Sequence, residues 1–199
     1  GKICRIQLND SEWVETQVCI AAIGHSARDT FRMLKKHGIA MEAKSFAVGV
    51  RIEHPQEMIN RSQYGRPEVK ELGAANYKLT HQLENGRGIY SFCMCPGGYV
   101  VDASSEKGYL AVNGMSYQAR DSRNANSAMI VTVSPQDYVT YGMDYLQRMG
   151  EDALAATLDQ NPLAGMYFQR YLEQKAYQMH EGKIPVQTYG DFHDKKETK

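Results

Sequence analysis

An α+β fold, with a mainly antiparallel sheet and helices toward the C-terminus, follows from three features of this sequence. From Phe46 the side chains alternate, with Phe46, Val48, Val50 and Ile52 on one face and Ala47, Gly49, Arg51 and Glu53 on the other, the period of a half-exposed strand. Residues 89–112 hold three short strand-like runs (89–94, 99–103 and 109–112) separated by the turns Pro96-Gly97-Gly98 and Glu106-Lys107-Gly108, connections short enough for an antiparallel meander. Between Asn161-Pro162 and Gly182, the residues Ala164, Phe168, Tyr171, Leu172, Lys175 and Met179 trace one face of a helix.

In chain order, residues 18–23 come first: they are short and continuously apolar, the pattern of a strand buried on both faces in a parallel sheet. Gly24 ends the run. Ser26 and Asp29 have capping-box spacing, and Ala27, Phe31 and Leu34 continue as a helix that Lys35, Lys36 and His37 suit at its negative end and Gly38 stops. This strand-turn-helix unit is the local grammar of a nucleotide-binding α/β domain. Pro55 opens a short helix through Met58 and Ile59, and residues 64–88 read as loop. Residues 128–133 form a buried strand, and Ser134-Pro135-Gln136-Asp137 is a second capping box. The tail from His193 is charged and has nothing to bury.

The chain of 199 residues, 42% hydrophobic and 23% charged, suits one domain or one domain plus a piece of another. Twenty-three basic residues balance twenty-three acidic ones, so the electrostatic footprint of a nucleic-acid or anionic-membrane binder is missing. The longest apolar run is far short of the roughly 20 residues that span a bilayer, and no secretory signal opens the chain, so a cytoplasmic location is expected. Four cysteines, two of them in strand-like runs, do not resemble a secreted disulfide framework. The opening Gly1, in place of Met, accords with an interior piece of a longer protein.

Three places carry chemistry. Cys93 and Cys95 end a strand before Pro96-Gly97-Gly98; strict alternation puts both sulfurs on one face. Their Cα atoms in an extended strand would lie roughly 6.5–7 Å apart, the upper limit for a disulfide. The pair reads either as structural thiols or as a redox or substrate-contacting pair; zinc fits least, for no nearby His or Cys completes four ligands. Gly24, His25 and Ser26 sit where a strand meets a helix N-terminus, a place for phosphates and cofactors or an ordinary tight turn. Residues 113–127 place Arg120, Arg123, Asn124, Asn126 and Ser127 before a buried strand, as a solvated loop or as a polar lip for an oxygen-rich ligand. Gly86-Arg87-Gly88 is no dinucleotide fingerprint, since it runs into a strand where a helix is needed.

Residues 23–30 (IGHSARDT), 46–55 (FAVGVRIEHP), 90–98 (YSFCMCPGG), 113–116 (NGMS) and 124–128 (NANSA), with 162–170 and 185–192 after them, resemble the signature blocks of a bacterial family of FAD-dependent dehydrogenases. In that family a flavin domain of the glutathione-reductase type is interrupted by an inserted domain, and Ala22-Ile23-Gly24-His25 matches a late strand of the flavin domain. The resemblance implies that residues 1–44 are a remnant of the FAD-binding domain, 45–192 the inserted substrate-side domain and 193–199 a charged tail. It implies Gly24, His25, Ser26 and Arg28 beside the cofactor, Cys93 and Cys95 as catalytic candidates, and Arg51, Asn113, Ser116, Arg120, Asn124 and Asn126 toward substrate; no metal is implied. FAD is expected in the full-length parent and not on this chain, which lacks the Gly-rich segments for the pyrophosphate and the flavin. The isolated chain is thus expected to be inactive, with the rest of the flavin domain and a small-molecule substrate as partners. The rival function is a non-catalytic module that binds a metabolite or a protein.

Overall fold

The computed structural model describes residues 2–196 and divides into two compact units, Gly1–Ile39 and Ala40–Lys199. Residues 197–199, the end of the charged tail, lie outside the described residues. In the first unit β1 (Arg5–Leu8) and β2 (Glu12–Glu15) form an antiparallel hairpin, with Asn9 and Asp10 at φ 49° and 55° in its turn. Asn and Asp enter that left-handed region at least cost among residues with a side chain. The Arg5 guanidinium lies over the Trp13 ring, 4.1 Å from its centroid. Helix α1 (Arg28–Lys36) follows, and Gly38 at φ 72° turns the chain out of it while Gly38 N–H donates to the Lys35 carbonyl.

Two expectations for this unit need correcting. Residues 18–23 form no strand, and Val18 and Ile20 are 72% and 85% exposed. A strand exists only as part of a ladder, and among the described residues none pairs with this one. Ser26 does not cap α1; Ala27 stands at the cap position without a side-chain bond, and Asp29 accepts from the Thr30 N–H. Helix α1 therefore has no strand feeding it.

The second unit is built on a four-stranded antiparallel sheet in the order β3-β8-β5-β4. Strands β3 (Phe46–Pro55) and β8 (Asn124–Val133) pair along all ten residues, from Phe46 opposite Val133 to Pro55 opposite Asn124. Strand β5 (Gly88–Cys95) lies on the other side of β8, and the three-residue β4 (Thr80–Gln82), absent from the sequence expectation, forms the edge. A separate ladder joins β6 (Gly98–Asp102) to β7 (Val112–Ser116). Helix α2 (Gln56–Tyr64) leaves β3 directly after Pro55, whose fixed φ suits the position before a first turn.

The helical half comprises α3 (Pro135–Arg148), α4 (Asp152–Ala155), a 3-10 turn at Leu158–Gln160, α5 (Ala164–Met179) and the short α6 (Tyr189–His193). The second capping box forms: both the amide and the hydroxyl of Ser134 donate to the Asp137 carboxylate, at 2.8 and 2.9 Å. Phe46 and Val48 at one end of β3, with Val133 at the end of β8, pack against Tyr138, Leu146, Leu158, Tyr167 and Phe168. The Phe46 and Tyr138 rings are 5.2 Å apart. Each such side chain, fully buried, is worth about 1.5–3 kcal/mol, so this end of the sheet is its anchored end. Arg170, its side chain only 13% exposed, ties the link between β6 and β7 to the helices. It donates to both Glu106 oxygens, to the Tyr109 hydroxyl and to the Tyr145 hydroxyl.

The meander expected over residues 89–112 is not present. Strand β6 pairs with β7 and not with β5, because the chain changes sheets across Pro96 and Gly97. Gly97 has φ 53°, its N–H donates to the buried Gln56 Oε1 at 2.8 Å, and a Cβ there would strike the Arg120 backbone. The strand expected at 109–112 is displaced to Val112–Ser116, since the Leu110 N–H is already bonded to the Glu173 carbonyl in α5. The stretch 113–127, read as loop or lip, begins and ends in strands β7 and β8.

Candidate functional site

At the end of the sheet away from the Phe46 anchor, β5 breaks its register on β8. Phe92 stands opposite Ala128, but the next pair is Cys95 with Asn126, so three steps along β5 match two along β8. That is a β-bulge, and Cys93 occupies it at φ 45°, a left-handed conformation rare for a residue with a side chain. The bulge corrects the alternation argument: between Phe92 and Cys95 side chains no longer alternate strictly. Cys93 is exposed and Cys95 half-buried, and all four cysteines are free thiols.

Arg51 holds this bulge. Its position on β3, opposite Ala128 and two residues before Glu53, sends the guanidinium along the face that carries Asn126. Nη1 and Nη2 donate to the Cys93 carbonyl at 3.4 and 3.3 Å, and Nη2 to Asn113 Oδ1 at 3.3 Å. Nη1 also donates to Asn126 Oδ1 and lies 4.0 Å from the Cys95 sulfur. The Cys95 thiol in turn donates to the Cys93 carbonyl at 3.3 Å. The acceptors are amides, carbonyls and a thiol; among the described residues no carboxylate pairs with Arg51. A cation surrounded by neutral acceptors keeps an unspent attraction for negative charge.

Three neighbours make the arrangement possible. Gly114 on β7 passes so close that a Cβ would overlap the Arg51 guanidinium and Asn126 Oδ1. Asn126 itself is 0% exposed, and its Nδ2 has no hydrogen-bond partner among the described residues, an orphaned buried donor beside the cation. Ser116 Oγ donates to the Pro96 carbonyl at 2.7 Å and fixes the turn after Cys95.

Of the residues expected to meet substrate, Arg51 therefore meets Asn113, Asn126 and both cysteines. Ser116 supports the turn. Asn124 belongs to a different group: its Nδ2 donates to Glu53 Oε1 at 2.7 Å, while Glu53 Oε2 accepts the Val100 N–H. Arg120 is exposed at φ 53°, and it is its carbonyl that meets Gly97. Glu53, His54, Tyr99, Arg123 and Asn124 line a shallow depression. Sequence reasoning missed His54 and Tyr77, whose ring nitrogen Nε2 and hydroxyl are 2.9 Å apart. Burial pushes the Tyr77 hydroxyl above its ordinary pKa, against the opposing influence of Ser127 and Arg51. No local pattern could have signalled a pair 23 residues apart.

Gly24, His25, Ser26 and Arg28 lie in the other unit, before and at the start of α1. Gly24 is at φ 74°, His25 and Ser26 are exposed, and the Arg28 side chain is buried. A dinucleotide cradle needs a strand delivering a Gly-rich turn to a helix N-terminus. No strand enters α1, and among the described residues every ladder is antiparallel. These residues do not by themselves fit FAD. Among the described residues no cluster of three His, Cys, Asp or Glu could hold a metal ion, and no helix is long and apolar enough to cross a membrane.

The second unit is thus an α+β domain with an arginine-held bulge carrying two thiols at one end of its sheet. Residues 45–199 match the family described as FAD-dependent protein, C-terminal domain-like, and the chain belongs to it. A Clostridium beijerinckii protein, described only as uncharacterized, is 48% identical over 196 residues, covering 96% of this chain. The chain spans about a third of the length of that relative, 33%.

Proposed function

We propose that this chain is the substrate-side domain of an FAD-dependent oxidoreductase, a dehydrogenase, that acts on a small oxygen-rich molecule. The observation that carries the reading is the convergence of Arg51, Cys93, Cys95, Asn113 and Asn126 at one bulge, in a chain of an FAD-dependent family. Arg51, with no carboxylate partner among the described residues, attracts and orients a negative or strongly polar group. Asn113, which is exposed, offers a further hydrogen bond, whereas the buried Asn126 holds the guanidinium in place. Cys93, exposed at the rim, is the thiol that meets the substrate first.

In this reading FAD belongs to the parent protein. Gly24, His25, Ser26 and Arg28 take part in holding it only when the rest of the flavin-binding domain supplies the strands that residues 18–23 lack. The thiols and the balanced charge suit a cytoplasmic protein.

The test is made in the full-length parent. Cys93→Ser, Cys95→Ser and Arg51→Lys are compared with wild type for the rate of flavin reduction by candidate substrates and for FAD content. Turnover lost at normal FAD content supports the reading. Unchanged turnover in all three variants overturns it and leaves the cluster a structural device.

A further inference from the structure

We propose that Cys93 and Cys95 form a reversible dithiol–disulfide couple, oxidised by a low-molecular-weight disulfide and reopened by thiols. Two cysteines separated by one residue in a regular strand sit at the edge of disulfide range. Here the strand is not regular. Its extra residue and the left-handed Cys93 shorten the path from Phe92 to Cys95, so the distortion that a bond needs is already built into the reduced protein. The Cys95 sulfur is also turned back onto its neighbour, 3.3 Å from the Cys93 carbonyl oxygen.

Packing does not account for the pair. A structural cysteine acts as a small buried hydrophobe, whereas Cys93 is exposed and the Cys95 sulfur touches a carbonyl and a guanidinium. The division of exposure assigns the roles. The Cys93 thiolate attacks one sulfur of glutathione disulfide, forming a mixed disulfide and releasing one glutathione thiolate. The Cys95 thiolate then attacks the Cys93 sulfur, forming the Cys93–Cys95 bond and releasing the second glutathione. The two protons lost by the cysteines go to the two departing thiolates, and two electrons pass from the pair to glutathione disulfide. On reopening, Cys95 leaves with negative charge, and the Arg51 Nη1 group 4.0 Å away is placed to stabilise it. The couple uses only this chain's residues and needs no flavin, so it and the proposed function can fail independently.

The experiment uses the chain with Cys4→Ser and Cys19→Ser, removing two exposed thiols outside the cluster. It is equilibrated in glutathione buffers from fully reduced to fully oxidised, quenched in acid, alkylated and read by intact and peptide mass, with circular dichroism checking the fold. The expected product has lost two hydrogens, carries Cys93 linked to Cys95 and reverts on adding reduced glutathione. Cys95→Ser should instead accumulate the glutathione adduct on Cys93. Arg51→Gln should slow closure and reopening about tenfold, as expected for loss of one hydrogen bond to a charged group, with Arg51→Lys recovering part of the rate. Glutathione adducts that persist on Cys93 beside a free Cys95, or both thiols remaining reduced in the most oxidising buffer, would overturn the proposal.

Discussion

Replacing Gly114 by alanine tests whether the Arg51 cluster is held by close approach of β7. A Cβ built there lies 2.7 Å from the Arg51 Cζ and overlaps both Nη1 and Asn126 Oδ1. The end of Arg51 can swing toward solvent; Asn126, 0% exposed, cannot move out of the way. The substitution therefore removes the Arg51–Asn126 bond, a hydrogen bond to a charged group worth about 1.5–3 kcal/mol. It also leaves a buried amide with neither end partnered, since Nδ2 has no partner among the described residues. Against this, Gly114 is not at positive φ, so alanine restricts the unfolded chain and returns about 0.4–1 kcal/mol. The net expectation is a loss of about 1–2 kcal/mol, or a urea midpoint lower by roughly 0.5–1 M. Trp13, the single tryptophan, lies in the Gly1–Ile39 unit, so the transition should be followed by circular dichroism and not by its fluorescence. In an Arg51→Ala background the same substitution should cost less, because the guanidinium it displaces is gone and only the overlap with Asn126 Oδ1 remains. Equal destabilisation in both backgrounds, or a net gain in the wild type, would refute the reasoning.

Arg170→Met should destabilise the Ala40–Lys199 unit by about 1.5–3 kcal/mol, because it removes the guanidinium's hydrogen bonds to Glu106, Tyr109 and Tyr145 at a largely buried site, while the two tyrosine hydroxyls keep their mutual bond; urea unfolding and faster proteolysis within 103–111 would report it. Asp137 accepts from Arg87 and from the amide and hydroxyl of Ser134, and these donors, the arginine first, hold its carboxyl well below the usual carboxylate range. Its contribution to stability is thus full above about pH 4 and is lost as pH falls toward the depressed folded-state value, so Asp137→Asn should flatten the acid limb of stability against pH. Titrating FAD into the chain while following flavin fluorescence should show no tight binding; stoichiometric binding at micromolar or lower Kd would overturn the reading that the flavin cradle needs residues beyond those described.

Several features of the site were legible without the fold. The two cysteines are marked by their place before Pro96-Gly97-Gly98, Asn113 and Asn126 by the polar stretch ahead of a strand, and Arg51 by the family resemblance; the fold brings Arg51 to each of the others. Their partner Gly114 was not legible, because its role is the room it leaves between strands. The arginine clamp at Arg170 was equally hidden, since its partners are 25 to 64 residues away along the chain.

What the sequence by itself determined is local. Alternation from Phe46, the Ser134-Asp137 box and the periodicity after Pro162 specify strand, cap and helix because the residues that satisfy one another there are close along the chain. Tertiary structure alone decided pairing. The apolar run at 18–23 stays unpaired because a strand's hydrogen bonds come from elsewhere. The chain abandons the expected meander at Gly97 because Gln56 and Arg120 meet it there. The bulge at Cys93 turns its carbonyl to Arg51, 42 residues away, a partner that only the folded chain supplies. Backbone propensity acts within a few residues, but registry, bulges and the aim of a side chain are settled by groups that meet only after the chain has folded.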